Sequence, residues 1–196
     1  MPLSAEHKQR SRQAILDSAV TLFTQQGFDN TSIDQIMAHA QLTRGGFYAH
    51  FTSKSDLYQQ AMLNAASHSR LAFPKPDQLD DEAWFFKLLD GYLSNAHLDN
   101  KQTPCPLAFL VTDVAVREAE VRNTYASIFK KMHRRMYNYS KTFSSSSDQD
   151  LLAMTAMMIG SVAIARTMDD GAARRKLLQA SKQLIHRLLS SDPLHD

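Results

Sequence analysis

The stretch LTRGGFYAHFTSKSDLY, residues 42 to 58, decides how the first part of the chain folds. Thr43 and Ser53 are residue types that begin helices, because a hydroxyl oxygen can accept a hydrogen bond from a free amide of the first turn. We therefore predict a short helix after Thr43 and a longer one after Ser53. Gly45 and Gly46 lie inside the short helix, although each glycine costs a helix about 1 kcal/mol relative to alanine.

The two glycines suggest a helix that must approach a partner closely. Duplex DNA is such a partner, because a recognition helix enters its major groove. Arg44 could donate two hydrogen bonds to a guanine, and Tyr48, one turn further on the same face, could reach a phosphate. Phe47 and Phe51 would pack inward. The alternative is a glycine-weakened surface helix that binds nothing.

The residues before this stretch predict two further helices. Apolar residues recur with helical spacing over residues 5 to 26, and Gly27 would end that first helix. Thr31, with Asp34 three residues later, predicts the start of a short second helix. Residues 41 to 43 would form a tight turn to the third helix. Two short helices joined by such a turn are typical of a helix-turn-helix.

The rest of the chain also reads as helical, and it contains no convincing alternation of apolar and polar residues that would indicate strands. The fold class predicted is therefore all-α, with a helix-turn-helix domain over residues 1–54 and a second helical domain over residues 55–196. The helix that starts near Lys54 should run towards Leu71. The later helices are expected at about residues 80–98, 106–116, 118–143, 148–167 and 171–190.

Charge and composition narrow the function classes. The net charge is +2, and residues 1 to 60 hold five basic and five acidic side chains, which argues against a nonspecific DNA-coating protein. One cysteine, no apolar leader and no apolar run that could span a membrane predict a cytoplasmic protein. We find no motif for a metal, a cofactor or a catalytic nucleophile, so we expect neither an enzyme nor a bound cofactor or metal.

Residues 10 to 58 resemble the DNA-binding domain of the TetR family of transcriptional regulators. The matching pieces are Gly27-Phe28, Thr31-Ser32-Ile33, the run from Leu42 to Phe51, Lys54, and Asp56-Leu57. The resemblance implies an Ω-shaped homodimer with N-terminal helices for DNA and C-terminal helices for ligand binding and dimerisation. It further implies a repressor that a small molecule releases from a palindromic operator.

The resemblance also implies roles for particular residues. The positions that would contact phosphates, bases or sugar are Thr31, Thr43, Arg44, Gly45, Tyr48, His50 and Lys54. One departure is Gln41, since the family usually has glycine in this turn, and a positive φ would strain a glutamine. Lys8, Arg10 and Arg12 would either add DNA contacts or form an ordinary solvated N-terminus.

Residues 79 to 143 are expected to hold the ligand cavity. The aromatic and soft side chains proposed to line it are Trp84, Phe85, Tyr92, Cys105, Phe109, Met132, Met136 and Tyr139. Each of these could instead be plain core. The basic cluster Lys130, Lys131, Arg134 and Arg135 is interpreted as a solvated face, with an acidic ligand or partner as the alternative.

Cys105 supports an alternative function, a thiol sensor of electrophiles or oxidants on the same scaffold. It lies just before Pro106, at a predicted helix start, where the helix dipole would lower the thiol pKa and raise its reactivity. The competing interpretation is an inert buried thiol.

The last two helices, residues 148–167 and 171–190, are predicted to form the homodimer interface as a four-helix bundle. Their apolar stripes are Leu151, Met154, Met158, Val162 and Ala163 on the first, and Leu177, Leu178, Leu184, Ile185, Leu188 and Leu189 on the second. The alternative is that both helices only build the core of one chain.

Overall fold

The computed structural model describes residues 5–69, 72–99 and 104–190, and within these ranges every regular element is a helix. The predicted all-α class is thus confirmed. The elements are α1 (Ala5–Gln26), α2 (Ile33–His39), a 3₁₀ helix (Arg44–Ala49), α3 (Lys54–His68), α4 (Asp81–Tyr92), α5 (Asn95–Leu98), α6 (Pro106–Phe109), α7 (Val111–Ala115), α8 (Ala119–Ser140), α9 (Asp148–Ala165) and α10 (Gly171–Ser190).

The start of α2 differs from the prediction by one residue. Ser32, not Thr31, begins the helix: its hydroxyl accepts from the Gln35 amide, and the Gln35 side chain accepts from the Ser32 amide. Thr31 is fully buried, and its hydroxyl donates to the carbonyl oxygen of Gly27 at 2.7 Å. Both residue types begin helices well, and the burial of Thr31 with its hydrogen bond to Gly27 distinguishes them.

The turn between α2 and the third helix is left-handed at Gln41, which has a φ of 57°. This confirms the expected strain, because a non-glycine residue rarely adopts positive φ. The third helix is a 3₁₀ helix, with the Gly46 amide donating to Thr43 and the His50 amide to Phe47. Thr43 is the N-cap residue of this helix, as predicted, but its side chain makes no hydrogen bond to the first turn. Ser53 does cap α3, accepting from the Asp56 amide at 3.0 Å.

Helix α3 connects the two parts of the molecule. It packs against α1 on one side and against α8 on the other, so the hydrophobic core continues from one to the other. Phe23, Phe47, Phe51 and Tyr58 are among the largest fully buried side chains, and they fix the 3₁₀ helix and α3 on α1. Helix α3 ends at His68, and Leu71, towards which it was predicted to run, lies outside the described residues.

The C-terminal helices follow the predicted boundaries closely, except that two predicted helices are each broken in two, giving α4 with α5 and α6 with α7. Helices α9 and α10 pack on each other and α9 also packs on α8. The stripe predicted for dimerisation on α9 faces the chain's own core: Leu151, Met154, Met158 and Val162 are buried. The apolar side chains that the two helices expose are Leu152 and Ile164 on α9, which lie outside the predicted stripe, and Leu184 and Leu188 on α10, which belong to it.

Candidate nucleic-acid interface

The 3₁₀ helix divides its residues sharply between core and surface. Phe47 is fully buried against Phe51, with ring centroids 5.8 Å apart. Tyr48, the next residue, is 68% exposed. Thr43, Arg44 and Gly45 are exposed as well. Four of the predicted DNA-binding residues are therefore exposed to solvent next to a buried aromatic anchor.

The Arg44 guanidinium is held at the surface by an ion pair with Asp34 on α2. The atoms Nη1 and Oδ2 are 3.0 Å apart, and the two side chains are 73% and 57% exposed. An ion pair this exposed contributes little to stability, because water competes for both charges. Arg44 can thus exchange Asp34 for another acceptor at little cost.

The two glycines of the 3₁₀ helix are not required by the fold. A Cβ built on Gly45 would meet nothing within 4 Å, and one built on Gly46 would meet only Met37 at 3.8 Å, an ordinary contact. Neither glycine has a positive φ. The chain's own packing thus gives no reason for glycine at position 45, where the backbone lies open to a partner.

A second electropositive group lies beside this helix, where α1 passes His50. Burial, and then the nearby charges of Lys8 and Arg12, lower the pKa of His50. Arg12 stacks over the Phe51 ring, with its guanidinium carbon 5.3 Å from the ring centroid, and donates to Gln60. The structure therefore brings two cations of α1, whose role the sequence left open, close to the predicted site residue His50.

Two predicted DNA-binding residues lie elsewhere. Thr31 is buried, so its side chain cannot reach a phosphate, and its predicted role as a direct phosphate contact is wrong. Lys54 is half-buried, and its ammonium lies 4.2 Å from the centroid of the Phe28 ring. Burial, the largest effect, lowers the pKa of Lys54, although the carboxylate of Asp29 opposes the shift.

Lys54 belongs to a junction between the two domains that the sequence did not reveal. Asp113 on α7 accepts hydrogen bonds from the Phe28 amide, at 3.3 Å, and from the Tyr58 hydroxyl. Arg117 binds both carboxylate oxygens of Asp29, at 2.8 and 2.6 Å. The turn that follows α1 is thereby fixed to α7, and no local signal predicts contacts between residues this far apart in sequence.

A cavity of about 280 Å³ lies between α3, α6 and α8. Of the residues predicted to line a ligand site, Cys105 and Met132 are among its lining residues. Trp84, Phe85, Tyr92 and Met136 are buried in the core. Phe109 lies under the guanidinium of Arg166 at 3.8 Å, and Tyr139 accepts from Arg135. The structure thus brings only two of the eight predicted residues together at this cavity.

Cys105 lacks the activation that a thiol sensor needs. Burial raises the pKa of the Cys105 thiol, and this outweighs its hydrogen bond from Tyr92. The predicted lowering of this pKa is therefore wrong. The helix that follows, α6, has only four residues, too few for a strong dipole. The thiol that the structure describes is a small buried group in a cavity wall.

Among the described residues, no cluster of histidine, cysteine or carboxylate side chains could hold a metal ion. The same residues include no helix that is both long and apolar enough to cross a bilayer.

The geometry defines a class, a helix-turn-helix domain fused to an all-α body. Comparison with known proteins then identifies the family. The sequence model of "Bacterial regulatory proteins, tetR family" matches residues 15–61. The chain therefore carries the DNA-binding domain of the TetR family, and the resemblance stated from its sequence is confirmed.

Individual relatives support the same assignment within that domain. The HTH-type transcriptional regulator AcrR of Shigella flexneri is 47% identical over 55 residues, 28% of this chain and 26% of that protein. The biofilm operon icaADBC HTH-type negative transcriptional regulator IcaR of Staphylococcus aureus (strain Newman) is 35% identical over 51 residues, 26% of this chain and 27% of that protein. The matched segment thus spans about a quarter of these relatives.

Solved structures extend the likeness to the whole fold. The reduced form of E. coli NemR superimposes with a TM-score of 0.76 and 16% identity, covering 93% of this chain and 99% of the other. A TetR transcriptional regulator from Chloroflexus aurantiacus gives 0.74 with 21% identity, covering 93% and 97%. At such identities the likeness establishes the fold alone.

Proposed function

We propose that this protein is a transcriptional repressor that inserts the 3₁₀ helix Arg44–Ala49 into the major groove of a palindromic operator. The observation that carries the proposal is the exposure of Thr43, Arg44, Gly45 and Tyr48. One of them, Gly45, is a glycine that the packing of the fold does not require. The names of the relatives support a regulator rather than an enzyme. Such a protein would act in the cytoplasm, where bacterial DNA lies.

A symmetric dimer would place two such helices on one operator. The exposed apolar side chains of α9 and α10, from Leu152 to Leu188, give this proposal its surface. Gly160 lies on α9, and a Cβ built there would meet nothing within 4 Å. An open glycine on an apolar face favours close approach by a helix of a second chain. The two recognition helices would then lie about 34–36 Å apart, one duplex turn.

Release by a small molecule is the third part of the proposal. Leu63 and Ala66 of α3 line the cavity between α3, α6 and α8, while the N-terminal residue of the same helix, Lys54, lies at the junction with Phe28. A ligand that shifts α3 would therefore act on both ends of one rigid element. It lowers operator affinity only if it binds more tightly to the state that does not fit DNA.

The decisive experiment is selection of operator sequences from a random duplex pool, followed by binding measurements on the variant Arg44→Ala. Loss of a bidentate contact to guanine should cost about 1–3 kcal/mol and relax the base preference at one position in each half-site. Arg134→Ala is the matched control, because Arg134 is an exposed arginine on α8. Unchanged base preference in Arg44→Ala would contradict the assignment of Arg44 as the base reader.

A further inference from the structure

We propose that the cavity between α3, α6 and α8 takes an apolar organic anion, a compact ring system that carries a carboxylate. The binding is a property of the cavity alone, and it relies on the proposed repressor function only for its consequence on DNA. The inference starts from the charge of the lining residues that the structure describes, which include two cations, Lys131 and Arg135, and no carboxylate.

The two cations lie on the same face of α8, because they are four residues apart on one helix. Neither forms an ion pair within the described part of the chain. Arg135 donates to the backbone oxygens of Ala72, at 3.2 Å, and of Phe73. These acceptors are neutral, so they position the guanidinium and leave its charge uncompensated. A ligand anion would supply that charge.

The remainder of the lining is largely apolar, which sets the other half of the ligand. Leu63, Leu107, Ile128 and Met132 contribute hydrocarbon or thioether surface. Their burial against a ring system would supply the hydrophobic part of the binding free energy. A volume of about 280 Å³, filled at the density of a protein interior, holds on the order of ten to fifteen non-hydrogen atoms. That size suits a two-ring carboxylate.

The two cations differ in their exposure to solvent, and this gives them different roles. Lys131 is exposed and lies at the edge of the cavity, whereas Arg135 is half-buried. Lys131 can therefore be replaced without a structural penalty, and it is the residue through which charge selectivity is tested. Lys130 is its neighbour on α8 and is equally exposed, but it is not among the lining residues.

The test uses three probes with one ring system and different charges: 2-naphthoate, 2-naphthalenemethanol and 2-naphthylmethylamine. Binding to the full chain is measured by titration calorimetry without DNA. We expect 2-naphthoate to bind about tenfold or more tightly than the alcohol, since charged hydrogen bonds are stronger than neutral ones, and the amine to bind weakest. Lys131→Gln should reduce the preference for the anion, while Arg135 keeps part of it, and Lys130→Gln should leave the preference unchanged.

Reversing the charge at position 131 tests the preference for the anion from the opposite direction. Lys131→Glu should weaken 2-naphthoate further and strengthen the amine, an effect that general loss of folding cannot produce. Equal binding of the three probes, absence of binding by all of them, or equal effects of Lys130→Gln and Lys131→Gln would overturn the proposal. Operator binding without a probe, measured separately, tests the repressor function, so the two failures are distinguishable.

Discussion

Two glycines in the N-terminal domain illustrate different relations between sequence and structure. Gly27 ends α1 with a φ of +77°, and a Cβ there would lie 3.4 Å from Oδ1 of Asp113. Gly45 has neither constraint, since a Cβ there would meet no atom of the chain within 4 Å. The first glycine serves the fold at the junction with α7, and the second leaves open a surface that the fold does not use. The difference separates a glycine that the packing requires from one that the packing leaves open.

We expect the largest loss of stability from a substitution at the junction between α1 and α7. Asp113→Ala leaves the amide of Phe28 and the buried hydroxyl of Tyr58 without an acceptor. Each unsatisfied buried group costs about 1–3 kcal/mol, so we expect the free energy of unfolding to fall by about 3 kcal/mol. Urea denaturation measures it. Asp169→Ala, at an exposed aspartate, is the control, and equal losses in both variants would show that the junction does not stabilise the fold.

Gly27→Ala should give the next largest effect. Alanine at a left-handed position costs about 1–2 kcal/mol of stability, and the new Cβ would lie in contact with the Asp113 carboxylate, 3.4 Å from Oδ1. The denaturation midpoint should fall accordingly. Because the new Cβ would contact the Asp113 carboxylate, the double variant Gly27→Ala/Asp113→Ala should lose slightly less stability than the sum of the two single variants. Simple additivity would mean that the two sites act independently.

A buried histidine, His97, predicts that the stability of the fold depends on pH. The structure requires neutral His97: Nδ1 donates to the Tyr92 carbonyl at 2.8 Å, and Nε2 accepts from the Cys105 amide at 3.2 Å. Burial lowers the pKa of His97. The unfolded chain therefore binds the proton more readily than the folded chain. The contribution of neutral His97 to the free energy of unfolding is fully present above about pH 6.5, and it falls as the pH decreases from there towards the pKa of His97 in the folded state.

His97→Gln tests this by removing the titrating group. Between pH 6.5 and the pKa of His97 in the folded state, the free energy of unfolding of the wild type should fall by at most about 1.4 kcal/mol per pH unit, because one proton is bound. The free energy of unfolding of the variant should fall by less. The measurement is the urea midpoint at several pH values. His68→Gln, at an exposed histidine, should keep the wild-type slope. An unchanged slope in His97→Gln would mean that His97 is not responsible.

How much the sequence reveals depends on how local the cause is. The all-α class, the end of α1 at Gly27 and the start of α3 at Ser53 follow from signals within a few residues. The left-handed turn at Gln41 follows from a resemblance to known proteins. The junction at Asp113 depends on contacts across 85 residues, and no periodicity or motif predicts them.

The same distinction explains the errors. Thr31 and Ser32 are both good helix starts, and the choice between them depends on a hydrogen bond from the Thr31 hydroxyl to Gly27. The interpretation of Cys105 as an activated thiol rested on a helix end, whereas burial, on which the competing interpretation of an inert thiol rested, has the larger effect on its pKa. The apolar stripe of α9 was assigned to a dimer face, because periodicity identifies an apolar face without showing what covers it. In each case the outcome depends on burial or on a contact that the local sequence pattern does not reveal.

The smallest effect on stability, and the sharpest test of the opening comparison, is expected for Gly45→Ala. The added methyl group meets no atom of the chain. Alanine also favours helical conformations over glycine by about 0.5–1 kcal/mol, so the variant should be as stable as the wild type or slightly more stable. Operator binding should nevertheless weaken, because the methyl group would lie between the 3₁₀ helix and the DNA backbone.

Urea denaturation and a fluorescence binding titration on the same preparation measure the stability and the operator affinity of the variant. Gly171→Ala is the matched control: its Cβ would make only an ordinary contact, at 3.4 Å, with the end of the Arg175 side chain, and it lies at the start of α10 rather than on the recognition helix. Wild-type DNA affinity in Gly45→Ala would show that the backbone at position 45 does not approach DNA, and the glycine would then be left without a function in recognition.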